Sequence, residues 1–357
     1  MVENLELIKI FSVTVLAFLV ALFCTPLLTN FLYKNNFGKQ IRSDGSTPIF
    51  SKLHAKKKGT PTMGGVLIWG TVLVLTFLFW FLDRVVGISN LRIPGSEFTL
   101  FHSLNFLTRS ETWLPLAAFV GASLVGLFDD FLDARSRGYK GRGIRFRHKV
   151  LLYAIVAAIG AWWFYVKLGF STVYVPFLGD LGLGLLYIPF FILIVVGTSF
   201  AVNQTDGLDG LAGGTLLVAF LCYIVVTFTG KDYNLTAVTA GVCGALIAFL
   251  WFNVHPARFF MGDTGSMGMG VLLAILAFLT DTVFLLPLFG FIFLIEAGSY
   301  FLQIGSKLFL GKKLLLSAPL HHHLEAKGWP ETKVTERFWI ISWITAIVGM
   351  IIYFFGK

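Results

Sequence analysis

The stretch "FAVNQTDGLDGLAGG" (residues 200–214) sets Asp206 and Asp209 among four glycines, between two apolar runs each long enough to cross a bilayer. Carboxylates are costly in hydrocarbon, so acids at such a junction need a reason. Composition fixes the solvent first. Of 357 residues, 56% are hydrophobic and only 13% charged. Soluble domains carry about 25% charged residues, so the chain reads as an integral membrane protein.

Working outward from that junction, apolar runs of about 20 residues fall at 7–33, 64–82, 114–132, 150–167, 184–201, 211–229, 237–253, 267–281, 283–306 and 338–355. The expected fold is therefore all-α, a single polytopic membrane domain over residues 1–357 with about ten transmembrane helices. Outer-membrane barrels would show short alternating segments instead. Only Asp281 and Thr282 separate the eighth and ninth runs, which makes that boundary the weakest. The leader of the first run carries Glu3 and Glu6 against one Lys, and no small-residue cleavage site follows it. It is expected to stay as helix one rather than leave as a signal peptide. Cys24, Cys222 and Cys243 lie inside apolar runs without metal-ligand spacing and read as small buried hydrophobes. No internal repeat is apparent, which weighs against the inverted-repeat transporters.

Lys and Arg set the orientation. The odd-numbered connections (34–63, 133–149, Arg258 and 304–337) hold 21 of the chain's 28 basic residues. By the positive-inside rule these connections face the cytoplasm, and ten spans leave both termini outside. The polar residues then sort by side. Asp129 and Asp130, Asp206 and Asp209, Asp263, and His321, His322 and His323 all fall on odd connections. They are expected to form one site at the cytoplasmic face.

Hard carboxylate oxygens at the mouth of a helix bundle suit Mg²⁺, which is usually shared between one or two carboxylates and substrate phosphates. Glycines beside them let backbone N–H groups approach phosphate oxygens. The segments "KLHAKKKGTPTMGG" (52–65) and "RSRGYKGRGIRFRHK" (135–149) add Lys57, Lys58, Arg145, Arg147 and Lys149. Acids for a cation and bases for an anion fit a pyrophosphate-bearing substrate. Ten spans would be superfluous for a soluble nucleotide alone, so the second substrate is expected to be a lipid.

The segments "GTPTMGG" (59–65), "GLFDDFLD" (126–133), "NQTDGLDGLAGG" (203–214), "FMGDTGS" (260–266) and "APLHHHLEAKGWPE" (318–331) resemble, in order, those of the phospho-N-acetylmuramoyl-pentapeptide transferases. The resemblance runs from about residue 55 to residue 340. It implies a multi-pass enzyme of the bacterial inner membrane that moves phospho-N-acetylmuramoyl-pentapeptide from UDP-N-acetylmuramoyl-pentapeptide to undecaprenyl phosphate with Mg²⁺, releasing UMP. Relatives that transfer N-acetylglucosamine phosphate share the aspartate motifs, whereas the unbroken "HHHLE" resembles the muramoyl-pentapeptide branch. The implied partners are the two substrates and the bilayer. A homodimer is left open, and no nucleic-acid partner is expected. Segment 83–113 and the Arg-rich stretch 135–147 match nothing assignable.

The resemblance makes Asp129, Asp130, Asp263 and Lys149 the catalytic candidates, with one of the paired aspartates near the lipid phosphate and Asp263 the leading metal ligand. A helix end reaching water is the plain alternative for Asp129 and Asp130. Adjacent helical residues point about 100° apart, so the two cannot face one ligand equally. Asp133 lies one turn past Asp129. The i, i+3 spacing of Asp206 and Asp209 suits one side of a helical turn that Asn203 could cap. The resemblance assigns that segment to the nucleotide-sugar. An N-cap role for Asp263 also stays open. Phe260 can offer a flat face to uracil, Asn253 a hydrogen bond and Thr62 a donor to phosphate. Three consecutive histidines diverge too much for zinc, so His321–His323 read as an anion- and sugar-contacting loop. Lys57 and Lys149 either hold anions or anchor helix ends at the membrane surface. Glu296, deep in the ninth run, is costly without a partner. The runner-up is an N-acetylhexosamine-1-phosphate transferase for another surface polymer. A secondary transporter or flippase would place its acids near the midplane rather than at one face.

Overall fold

The computed structural model describes residues 2–35, 37–38, 57, 59–85, 104–107, 112–135 and 143–356. Lys58, residues 136–142 of the Arg-rich stretch and most of segments 34–63 and 83–113 lie outside them. In chain order the helices are α1 (Val2–Lys34), α2 (Val66–Val85), α3 (Trp113–Arg135), α4 (Phe146–Trp162), α5 (Tyr187–Thr205), α6 (Leu211–Thr229), α7 (Tyr233–Asn253), α8 (Asp263–Leu279), α9 (Phe291–Leu310), α10 (Leu320–Ala326) and α11 (Glu331–Gly356). A π-helical turn, Trp163–Lys167, extends α4. The strands β1 (Thr172–Val175) and β2 (Gly179–Gly182) pair antiparallel, with Val173 opposite Leu181, as the one hairpin among the described residues.

Eight of these helices, α1 to α7 and α11, are long and apolar enough to cross a membrane. The expected eighth and ninth spans are the two that differ. The helix α8 has 17 residues, about 25 Å at 1.5 Å per residue, against a hydrocarbon thickness near 30 Å. Every residue from Thr264 to Phe278 is buried, so α8 is wrapped by other helices and has no lipid face to match to the bilayer. Its far end turns at Asp281, whose φ is 53°, and a one-turn helix (Leu286–Phe289) precedes α9. The reversal is thus longer than the two residues read from the sequence. Several helices also outrun their apolar segments. The helix α5 continues past residue 201 to Thr205 and carries Asn203 in its last turn. An apolar run stops at the first polar side chain, whereas the backbone keeps its hydrogen bonds for another turn.

Packing between helices in lipid relies on close contact through small residues rather than on apolar burial. The contact of α3 with α8 shows it. A Cβ on Gly126 would sit 2.3 Å from the carbonyl oxygen of Asp263, and one on Gly268 2.1 Å from Ser123 Oγ. At the other end Phe164, Phe191 and Phe278 interlock, with ring centroids 4.9 and 4.4 Å apart, and tie α4 to α5 and α8. Cys222 and Cys243 are buried as expected, but Cys24 is exposed on α1. In a bilayer an apolar side chain can face lipid as readily as the protein interior, so position in an apolar run does not fix burial.

Candidate active site

The C-terminal ends of α3 and α5 meet the N-terminal ends of α4 and α8 at one end of the bundle, and the predicted polar residues gather there. Asp129 and Asp130 do diverge. Asp129 Oδ2 lies 2.5 Å from Lys149 Nζ, in the first turn of α4, and Asp129 Oδ1 accepts a short hydrogen bond from the Ile144 N–H. Asp130 turns to α8 instead. Its Oδ1 accepts from the Asp263 N–H (3.2 Å) and its Oδ2 from the Thr264 N–H (3.0 Å), so an acid from another helix satisfies the free amides that begin α8.

That arrangement removes the capping role from Asp263. Gly262, at φ 74°, is the N-cap residue, and Asp263 is the first helical residue with its carboxylate free for other contacts. One oxygen accepts from Asn203 Nδ2 at 2.7 Å, and the other forms a short ion pair with Lys149 Nζ. Asn203 also reaches Ser266 Oγ at 2.9 Å, so it ties α5 to α8 rather than capping the turn that follows it. Lys149 is held between two carboxylates, with its side chain 17% exposed, and is no surface anchor.

The turn between α5 and α6 is not helical. Asp206 leaves the α-region (ψ 51°) and Gly210 takes φ 76°, so Asp206 and Asp209 do not share a face. Asp206 Oδ2 accepts from the Gly262 N–H at 3.1 Å, which binds this turn to the start of α8. Thr62 is buried beside Gly262, where a Cβ would meet its hydroxyl at 2.6 Å. Asp209 faces a second cluster. Its carboxylate holds Lys57 Nζ at 2.6 Å, His255 Nδ1 at 3.1 Å and the Ala257 N–H at 3.1 Å. Burial pushes this carboxyl up, but the hydrogen bond and charge of Lys57 outweigh it and hold Asp209 below its ordinary value. Lys57 also pairs with Glu331, at the start of α11, and lies 5.7 Å from the centre of the Phe260 ring. Asn253 is buried, with its oxygen taking the Gly210 N–H and its amide donating to Phe259 O.

The three histidines lie in the helix α10 rather than in the expected loop, and they take three different partners. His321 Nδ1 lies 2.6 Å from Glu296 Oε2, which supplies the partner that the sequence left open. His322 pairs with Glu325 at 2.8 Å, and His323 Nδ1 accepts from the Leu316 N–H at 3.1 Å. Burial, and then the charge of Lys327, lower the pKa of His323. Asp133 is half-buried on the same helix as Asp129.

Sequence reading missed His255 and Glu331. His255 lies two residues past Asn253, and Glu331 closes the histidine segment in a place where any helix-starting acid would look the same. With Asp209 they bring three ligand-type atoms within 4.8 Å of one another. Lys57 already pairs with both acids, and a His-containing set suits softer metals than Mg²⁺. The carboxylates of Asp129 and Asp263 suit Mg²⁺ better. They are hard donors that already converge on one cationic atom.

The described residues thus form a helical, membrane-spanning bundle with charged clusters at one end, and the model of Glycosyl transferase family 4 matches residues 112–281, from α3 past α8. Signature 1 of phospho-N-acetylmuramoyl-pentapeptide-transferase matches residues 57–68, which include Lys57 and Thr62. Proteins named phospho-N-acetylmuramoyl-pentapeptide-transferase are 36% identical to the chain in Chloroflexus aurantiacus (94% of this chain, 86% of the relative), in a Geobacillus species (98% of each) and in Thermodesulfovibrio yellowstonii (95% and 92%). The chain belongs to the phospho-N-acetylmuramoyl-pentapeptide-transferase family.

Proposed function

We propose that the chain transfers phospho-N-acetylmuramoyl-pentapeptide from UDP-N-acetylmuramoyl-pentapeptide to undecaprenyl phosphate, giving lipid I and UMP in peptidoglycan synthesis. The observation that carries this reading is the meeting of Asp129, Asp130, Lys149, Asn203 and Asp263 from four helices at one end of the bundle, in a chain whose relatives bear that name. A phosphate oxygen of the lipid attacks the β-phosphorus, the bond from that phosphorus to the bridging oxygen breaks, and UMP departs with the bridging oxygen.

Mg²⁺ held by Asp263, when bound, would neutralise charge on the pyrophosphate and on departing UMP. The chain's own residues supply position. Asp130 fixes the start of α8 and so the place of Asp263. Asp206 holds the preceding residue, Gly262, through its N–H. Lys149 sets the carboxylates of Asp129 and Asp263 against one point and brings a positive charge for phosphoryl oxygens. Lys57, Asp209 and the face of Phe260 form the place for the nucleotide. The lipid phosphate has a second pKa near 6 and is largely ionised at neutral pH, so positioning outweighs general-base work. In this reading ten spans leave both termini outside, and the site faces the cytoplasm of a bacterial cell.

The test is UMP release by purified protein given Mg²⁺, undecaprenyl phosphate and a UDP-sugar. UDP-N-acetylmuramoyl-pentapeptide should be turned over and UDP-N-acetylglucosamine scarcely at all. Equal turnover of both would move the chain to the N-acetylhexosamine-1-phosphate transferases, and release with neither would end the reading.

A further inference from the structure

Glu296 lies in the second turn of α9 and is fully buried, as is His321 in α10. A lone carboxylate there would be costly. Both of its oxygens are used on one residue: Oε1 accepts from the His321 backbone N–H at 3.1 Å, and Oε2 lies 2.6 Å from His321 Nδ1. With Glu296 ionised and the ring singly protonated, Nδ1 carries the proton toward the carboxylate and the other nitrogen, Nε2, is left as an acceptor. That nitrogen is buried and has no hydrogen-bond partner among the described residues. Buried polar atoms are nearly always partnered, and an exception calls for an explanation.

Its location supplies one. A Cβ on Gly207 would lie 2.3 Å from His321 Nε2, so the ring fills the space that a side chain would take. Gly207 sits in the turn between Asp206, which holds Gly262, and Asp209, which holds Lys57. The bare nitrogen therefore lies against the turn that joins the two charged clusters. A mere latch between α9 and α10 would need the backbone hydrogen bond alone and would leave the ring nitrogen unexplained.

We propose that Glu296 is a positioning residue that fixes the His321 tautomer, so that Nε2 accepts a hydrogen bond from a hydroxyl or amide N–H of the nucleotide-sugar beside Gly207. The inference rests on the functional reading above and deepens it.

Glu296→Gln tests it with nearly unchanged shape. The amide oxygen still takes the backbone N–H, while the amide nitrogen now donates to Nδ1. The ring proton moves to Nε2, and the acceptor becomes a donor. UMP release should fall about tenfold or more in kcat/KM, with thermal stability in detergent unchanged. The ¹⁵N signals of His321, identified by their loss in His321→Gln, should show the tautomer inverted. In the His321→Gln background Glu296→Gln should add no further loss. Wild-type turnover in Glu296→Gln, or a loss that adds fully to that of His321→Gln, would overturn the inference alone. Absence of UMP release by the wild type would overturn the functional reading and this inference with it. Should Glu296→Gln not fold, the ¹⁵N signals of His321 in the wild type decide: a shift of Nε2 on adding UDP-N-acetylmuramoyl-pentapeptide supports the inference, and an unmoved Nε2 signal overturns it.

Discussion

Asp263→Asn separates a charge held for chemistry from a charge held for structure. The substitution leaves the start of α8 alone, because Asp130 takes the N–H groups of residues 263 and 264 and Gly262 is the N-cap. An Asn oxygen can still accept from Asn203. Lys149 loses one of two carboxylates but keeps Asp129 at 2.5 Å, and Asp129 loses a like-charged neighbour. These effects oppose each other, so stability should move by no more than about 1 kcal/mol. A metal ligand behaves otherwise. Removing its charge should cut turnover by about a hundredfold or more, which is roughly 2.7 kcal/mol at 1.36 per tenfold. The assay pairs UMP release with a thermal melt in detergent, over a Mg²⁺ titration. Raised Mg²⁺ should recover part of the loss. Turnover within about threefold of wild type, at a matched melting temperature, would refute the reasoning.

Gly126→Ala places a methyl against the Asp263 backbone and should cost about 1–3 kcal/mol as well as turnover, while Gly121→Ala, with open space around it, should cost neither. Equal melting temperatures for the two would remove the close α3–α8 contact from the explanation. Asp209 is held below its ordinary pKa, so its contribution is complete above the unfolded value near 3.9 and is lost as pH falls through the folded value. The stability gap between wild type and Asp209→Asn should therefore stay level from about pH 8 to 5 and shrink below about 4. A gap that widened on acidification would show the sign to be wrong. In a background without the native cysteines, a cysteine at exposed Leu178, on the hairpin tip, should react with an impermeant thiol reagent in cells whose outer barrier is permeable. One at exposed Lys312 should react only after the cells are opened, and the reverse pattern would invert the orientation.

Eight of the ten expected spans were legible because a bilayer demands long apolar runs whatever the tertiary structure. So was the gathering of Asp129, Asp130, Asp206 and Asp263, since alternate ends of successive antiparallel helices meet. Partners were not. Lys57 finds Asp209 across 152 positions and Lys149 finds Asp263 across 114, and no local spacing encodes such pairs. Local geometry misled at Asp206 and Asp209, where i, i+3 spacing suggested a helical face but the glycines allow the chain to turn between them. Glu296 was conspicuous as an intramembrane acid. Its use depends on α10 folding back over α9, which only the tertiary structure reveals.

Charge divides the labour between the two clusters. With its acids ionised, the cluster of Asp129, Asp130 and Asp263 sets three carboxylates against the single ammonium of Lys149 and keeps two formal negative charges. Like charges this close in a poorly solvated site repel strongly, which supports the proposal that a divalent cation binds there with the pyrophosphate it accompanies. The second cluster sets Asp209 and Glu331 against Lys57 and is nearer to balance, with the ring of Phe260 beside it. A further metal there would have to displace the ammonium, whereas an uncharged nucleobase need only stack and exchange hydrogen bonds. A UDP-sugar carries both features a few bonds apart. The Asp206–Gly262 hydrogen bond joins the turn of Asp209 to the start of α8, and in the proposed function it would hold the base in register with the phosphates.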